Sequence, residues 1–126
     1  MSRYGPRIAA LERQALRDSR ALARRDGEDD PAAVDPSSYL REGAGRAILL
    51  YVDARTGDRF VHLSPAEFEA LERALNHWLE CYARCHGVEL DATFSVRKAA
   101  ELLLDTRNID DVAQLLTGVP PRASHS

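Results

Sequence analysis

Between Phe68 and Cys85 the apolar residues Phe68, Leu71, Leu75, Trp78, Tyr82 and Cys85 alternate in steps of three and four. That spacing marks one face of an α-helix, and nothing interrupts it. The punctuation at both ends agrees. Ser64 and Glu67 are the two halves of a capping box, Pro65 falls at the first helical position, and Leu63 and Phe68 occupy the positions of a hydrophobic staple. Gly87 ends the run by tolerating left-handed backbone. The pattern predicts a helix over 64–86, roughly 33 Å long, as the spine of a core or of a dimer interface.

The pattern is weaker elsewhere. From Pro6 to Arg25 the chain reads as helix, with Ile8, Leu11, Ala15 and Leu22 in heptad-like positions and Asp18 where the next apolar residue belongs. A stripe so narrow buries little area, so this helix needs a partner surface or frays. Residues 26–45 mix Pro31, Pro36, Ser37, Ser38, Gly43 and Gly45 with acids, the composition of a flexible linker with a short docked piece at Tyr39 and Leu40. Ala47–Val52 (A-I-L-L-Y-V) is rich in β-formers and bounded by turn residues, which predicts a strand. A second strand over Arg59–Leu63, across the turn at 53–58, completes a β-hairpin. A lone hairpin is marginal in water and must pack on a helix or pair across a dimer.

Downstream, Ser95 or Thr93 caps a helix through Leu104 that buries Val96, Ala99, Ala100 and Leu103. Asn108 caps a last one, with Asp110 and Asp111 in its first turn, where the helix dipole favours acids. Its apolar face is Ile109, Val112, Leu115 and Leu116, and Gly118 with Pro120 and Pro121 ends it. The expected fold is mainly α with one β-hairpin (α+β), a central long helix packed by the hairpin and two shorter C-terminal helices. The expected organisation is an arginine-rich arm (1–25), an acidic linker (26–45), a compact domain (46–119) and a disordered tail (120–126).

Composition narrows the class. At 126 residues and 14.0 kDa there is room for one modest core, and 44% hydrophobic with 29% charged residues is ordinary for a soluble globular chain. No apolar run approaches the roughly 18 residues of a membrane-spanning helix, the first residues lack a signal-peptide core, and two cysteines make no disulfide scaffold. A cytoplasmic protein with no membrane partner is expected. The formal net charge of −3 advertises no basic field, but it is unevenly placed. Residues 1–25 carry seven arginines against Glu12 and Asp18, and residues 26–35 carry five acids and no base. Sixteen of the seventeen bases are arginine, as codon bias alone would give, so arginine number by itself is poor evidence for phosphate binding.

Candidate chemistry is sparse. His77, Cys81, Cys85 and His86 are zinc-type ligands, yet His77, Cys81 and Cys85 spread over about 80° of one helix and His86 lies about 100° further round. One straight helix cannot enclose a tetrahedral ion, so a metal site needs ligands such as His62 or a second chain, and no cofactor is expected. Cysteines four apart on a helix are also poorly placed to bridge each other. Residues 109–119 resemble the first helix and turn of a helix-turn-helix, but Gly118 falls five residues after Ala113, and residues 120–126, with two prolines, are too short for a recognition helix. Asp53, Asp58 and His62 gather near the turn without a nucleophile, a paired base or a phosphate-cradling loop, so no enzyme is expected.

What remains is surplus amphipathic surface. The sequence points to a small non-enzymatic interaction or regulatory module. It would self-associate as a homodimer through Phe68, Leu71, Leu75, Trp78 and Tyr82, and meet a protein partner through Arg13, Arg17, Arg20 and Arg24. The alternative is a small DNA-binding regulator using the same arginines.

Overall fold

In the computed structural model, which describes residues 3–25, 35–56 and 62–119, the chain forms α1 (Gly5–Arg25), α2 (Pro36–Tyr39), a π-helical turn (Leu40–Ala44), α3 (Gly45–Thr56), α4 (Pro65–Cys85), α5 (Val96–Thr106) and α6 (Ile109–Thr117). There is no strand among the described residues. The expected β-hairpin is therefore corrected: its first strand, Ala47–Val52, lies inside α3. Residues 53–56 of its expected turn lie in α3 as well, 57–61 fall outside the described residues, and His62 and Leu63 are in no regular element.

The reason is burial on several sides. Ala44, Ala47, Ile48, Tyr51 and Ala54 are all buried and spaced as a helix face, and Leu50 is buried as well. A helix buried over most of its middle turns, with Leu49 left exposed, reads as a continuous apolar run, which periodicity cannot tell from a buried strand. Of the stretch expected as a linker, residues 36–45 are helical too, and Tyr39, Leu40 and Ala44 belong to the core. Asp35 starts this run, its carboxylate accepting from the Ser37 N–H with Pro36 in the first turn.

Pairings along the chain give the topology. Glu12 meets Arg73 (Nε to Oε2, 2.6 Å) and Asp18 meets Trp78, so α1 and α4 run parallel. Between them in sequence, Gly43 lies on Trp78 while Tyr51 meets Phe68 edge-on at 6.0 Å, so the Pro36–Thr56 run descends against α4. α1, this run and α4 thus form an up-down-up trio, and α5 and α6 close the other side of α3 and the π-turn. α4 is the spine: Leu71, Ala74, Leu75, Trp78, Leu79, Cys81, Tyr82 and Ala83 are buried. The partner surface that α1 needs is α4, against which its apolar stripe packs, with Ile8 and Ala15 buried.

The π-turn solves a problem of close approach. Trp78 is fully buried, and a Cβ on Gly43 would stand 2.5–2.6 Å from three atoms of its indole. Only glycine lets the backbone lie on that ring. Gly45 closes the turn by donating its N–H to Leu40 O, and a Cβ there would meet the same oxygen at 2.7 Å.

The opposite flank of α4 is held differently. Glu72, Asn76 and Glu80, one turn apart, grip the extended segment that leads into α5. Glu80 Oε2 accepts from Ala92 N–H (2.9 Å), Asn76 both accepts from Phe94 N–H (2.8 Å) and donates to Phe94 O (3.0 Å), and Glu72 Oε2 accepts from Val96 N–H (2.8 Å). Alternate residues of an extended chain thus meet a ladder of side chains where a neighbouring strand would stand.

The remaining caps follow the sequence. Ser64 and Glu67 form the reciprocal capping box, Ser95 accepts from Lys98 N–H, and Asn108 accepts from the N–H groups of Asp110 and Asp111. Gly118 ends α6 in left-handed backbone (φ 70°). Tyr82 Oη donates to Val119 O at 2.5 Å, pinning the end of the described chain to α4.

Candidate interaction surface

On α1, the residues that face α4 and those that face water lie on opposite sides. Taking Ala15 as the centre of the buried face and 100° per residue, Arg13, Arg17, Arg20 and Arg24 fall within an arc of about 60° on the far side. All four are exposed. They rise along the helix over roughly 16 Å, and among the described residues none of them makes an ion pair. Four guanidiniums on one rigid helix, with their backbone anchored by Ile8 and Ala15 in the core, are a preorganised cationic strip.

Arg17 links this strip to the interior. Its Nη2 donates to Gln14 Oε1 (2.6 Å), Gln14 Nε2 donates to Asp18 Oδ1 (2.8 Å), and Asp18 Oδ2 accepts from Trp78 Nε1 (2.9 Å). Asp18, which breaks the apolar stripe in the sequence, is the acceptor that allows the indole to be fully buried with its N–H satisfied. Among the described residues no buried side-chain nitrogen or oxygen lacks a partner.

The residues expected to pair two copies of the chain are used inside one. Leu71, Leu75, Trp78 and Tyr82 are buried, and Phe68 packs against the core from its edge. The trio of helices therefore accounts for the whole seam without a second chain.

The candidate metal ligands stay apart. No three His, Cys, Asp or Glu side chains converge among the described residues. Cys81 is buried and Cys85 half-buried, both as free thiols. Burial, with Asp18 nearby, pushes the Cys81 thiol up to about 12, and burial with Asp35 also raises Cys85. Such thiols are poor nucleophiles and poor metal ligands at neutral pH. His77 lies 3.8 Å from Glu80 on the half-exposed flank of α4. Towards the end of α3, Asp53 accepts from Tyr4 Oη (2.7 Å) and so ties the start of α1 to α3, whereas Asp58 lies outside the described residues.

Several participants carry no local signal of their own. Asp18 offers one, a lone acid in an apolar register in a chain with a single tryptophan. Gly43 and the Glu72–Asn76–Glu80 ladder offer none, because each is defined by what the tertiary fold lays against it.

Fold and surface together describe an all-helical protein, as far as its residues are described, whose distinctive surface is cationic and convex. Residues 2–121 match the family described as a domain of unknown function (DUF8055), and the chain belongs to it. No curated protein and no solved structure matches. No described helix is long and apolar enough to cross a membrane.

Proposed function

We propose that this chain is a small non-enzymatic interaction module that engages an acidic protein surface through Arg13, Arg17, Arg20 and Arg24. The observation that carries this reading is the placement of the four exposed guanidiniums on the face of α1 opposite its buried face. Guanidinium pairs with carboxylates in a two-pronged geometry that suits protein recognition. The charge of the whole chain favours a protein over DNA. Residues beyond the first 25 carry a net excess of acid, which repels the long phosphate field of a duplex while leaving a short strip free for a local acidic patch.

Fluorescence anisotropy tests it, using a labelled Glu/Ser peptide and a labelled duplex at about 50 and about 200 mM salt. The peptide should bind, and the Arg13→Glu, Arg20→Glu, Arg24→Glu triple variant should lose about tenfold or more in affinity. Duplex binding that persists at the higher salt and vanishes in the variant assigns the strip to DNA instead. Binding to neither ends the reading.

A further inference from the structure

α1 and the Pro36–Thr56 run both pack on α4, and on the side away from α4 they leave a furrow between them. It consists of two adjoining hollows, of about 810 and 530 Å³, that share Gln14, Glu42 and Arg46 as walls. From Arg7 to Leu22 along α1 the furrow measures roughly 22 Å, about four helical turns. Its one exposed large apolar residue is Leu49, 58% accessible on α3, and Leu11 and Val52 are half-buried beside it. The run that places Ala47, Ile48, Leu50 and Tyr51 in the core leaves Leu49 outside it.

In the larger hollow the charges on the rim are unequal, whereas the smaller hollow adds the Asp18 carboxylate. Arg7 and Arg17 rise from α1 and Arg46 from α3, against Glu42 and Asp53. Asp53 already accepts the Tyr4 hydroxyl, and the Arg3 and Arg7 guanidiniums stand over the Tyr4 ring at 5.2 and 5.4 Å. The far wall of α1 is the cationic strip, which Arg17 shares. The larger hollow, with an apolar floor about three turns long beside arginine-bearing walls, is complementary to a helix with one leucine-rich face and carboxylates along its flanks, and the smaller hollow continues it with mostly polar residues.

We infer that the furrow between α1 and the Pro36–Thr56 run is the docking groove for an acidic amphipathic helix of a partner protein. This rests on the reading of the chain as a module for acidic protein surfaces, and it adds the shape of the ligand. The partner's apolar face covers Leu49, Leu11 and Val52, and its flanking carboxylates meet Arg7, Arg17 and Arg46. The Arg17–Gln14–Asp18–Trp78 chain of hydrogen bonds carries occupancy inward to the only tryptophan, which supplies an intrinsic signal.

The probe is a labelled peptide of about 18 residues with Leu at i, i+3, i+4 and i+7 spacing and Glu and Ala elsewhere. A permuted peptide of identical composition, with its leucines scattered round the helix, is the control. The amphipathic peptide should bind saturably, change Trp78 emission, and bind about tenfold more tightly than the permuted one. Leu49→Glu should weaken it about tenfold, with Arg46→Glu in the same direction, and circular dichroism should show the fold retained, since both side chains are exposed.

Equal affinity for the two peptides, no effect of Leu49→Glu, or no binding at all overturns the groove. So does sedimentation showing a dimer that Leu49→Glu dissociates, because the furrow then holds a second copy. The strip and the groove fail separately. Loss of binding in the Arg13, Arg20, Arg24 variant with none in Leu49→Glu leaves only the strip, and the reverse leaves only the groove.

Discussion

α4 holds its neighbours by two different means on its two flanks. Towards α1 and the Pro36–Thr56 run it presents Leu71, Leu75, Trp78 and Tyr82, buried among apolar side chains, with the bond from Trp78 to Asp18 crossing at its centre. Towards the segment before α5 it presents Glu72, Asn76 and Glu80, and the attachment is a ladder of hydrogen bonds to backbone. The first flank gains from area removed from water and tolerates little change in volume. The second depends on donor and acceptor geometry at half-exposed positions, where each bond has a modest net worth. One helix therefore carries a side held by close packing and a side held by hydrogen bonds, and the cationic strip and furrow are built on the closely packed one.

The largest expected effect breaks the closely packed flank. Trp78→Ala should cost about 3–5 kcal/mol in urea unfolding, through lost burial and a cavity between three helices. Gly43→Ala tests the same contact from the other side. Its methyl group has no room beside the indole, so a loss of about 1–3 kcal/mol and altered Trp78 emission are expected. An unchanged melting temperature for Gly43→Ala would show that the ring moves freely and that this flank is not tightly packed.

Asn76→Ala sharpens the contrast. It should cost about 1–3 kcal/mol, speed hydrogen exchange at the Ala92, Phe94 and Val96 amides, and leave Trp78 emission unchanged. Asp18→Ala should cost about 1–2 kcal/mol with a shift in emission, because the indole N–H loses its acceptor while the surrounding packing remains.

The smallest effect is with pH. Cys81 ionises near 9 in the unfolded chain and near 12 when folded, so the unfolded state alone releases this proton as pH rises from 9. The fold therefore loses stability in that window. Cys81→Ala should remove this part of the loss, about 1 kcal/mol by pH 10, measured as the difference in urea midpoints at pH 8 and 10.

What the sequence made legible follows the locality of each signal. The capping box at Ser64, the Asn108 cap and the left-handed Gly118 rest on residues at most four apart, and all three stand in the structure. The A-I-L-L-Y-V segment misleads because its β-branched and aromatic residues are weighed alone, whereas Ala44 and Ala54 beyond its ends continue the helical spacing. Small residues that let helices approach look, in composition, like linker. The same holds for Gly43 and Gly45, whose role is fixed by an indole and a carbonyl oxygen that no local pattern reveals. Of the interaction surface, the arginine strip is readable from its spacing, but the furrow is not, because it exists only once α3 is a helix and lies beside α1.

The π-turn also sets how this chain tolerates insertions and deletions. An α-helix advances 100° per residue, so the one extra residue in the Leu40–Ala44 turn offsets the faces of α2 and α3 by that angle. Tyr39 and Leu40 before Glu42, and Ile48 and Tyr51 after it, are aimed at the core only while that residue is present. Removing Glu42, an exposed residue whose substitution should be nearly silent, would let the backbone close as an ordinary helix and turn one half away from its partners. In this stretch the length of the chain is more constrained than the chemistry of its exposed side chains.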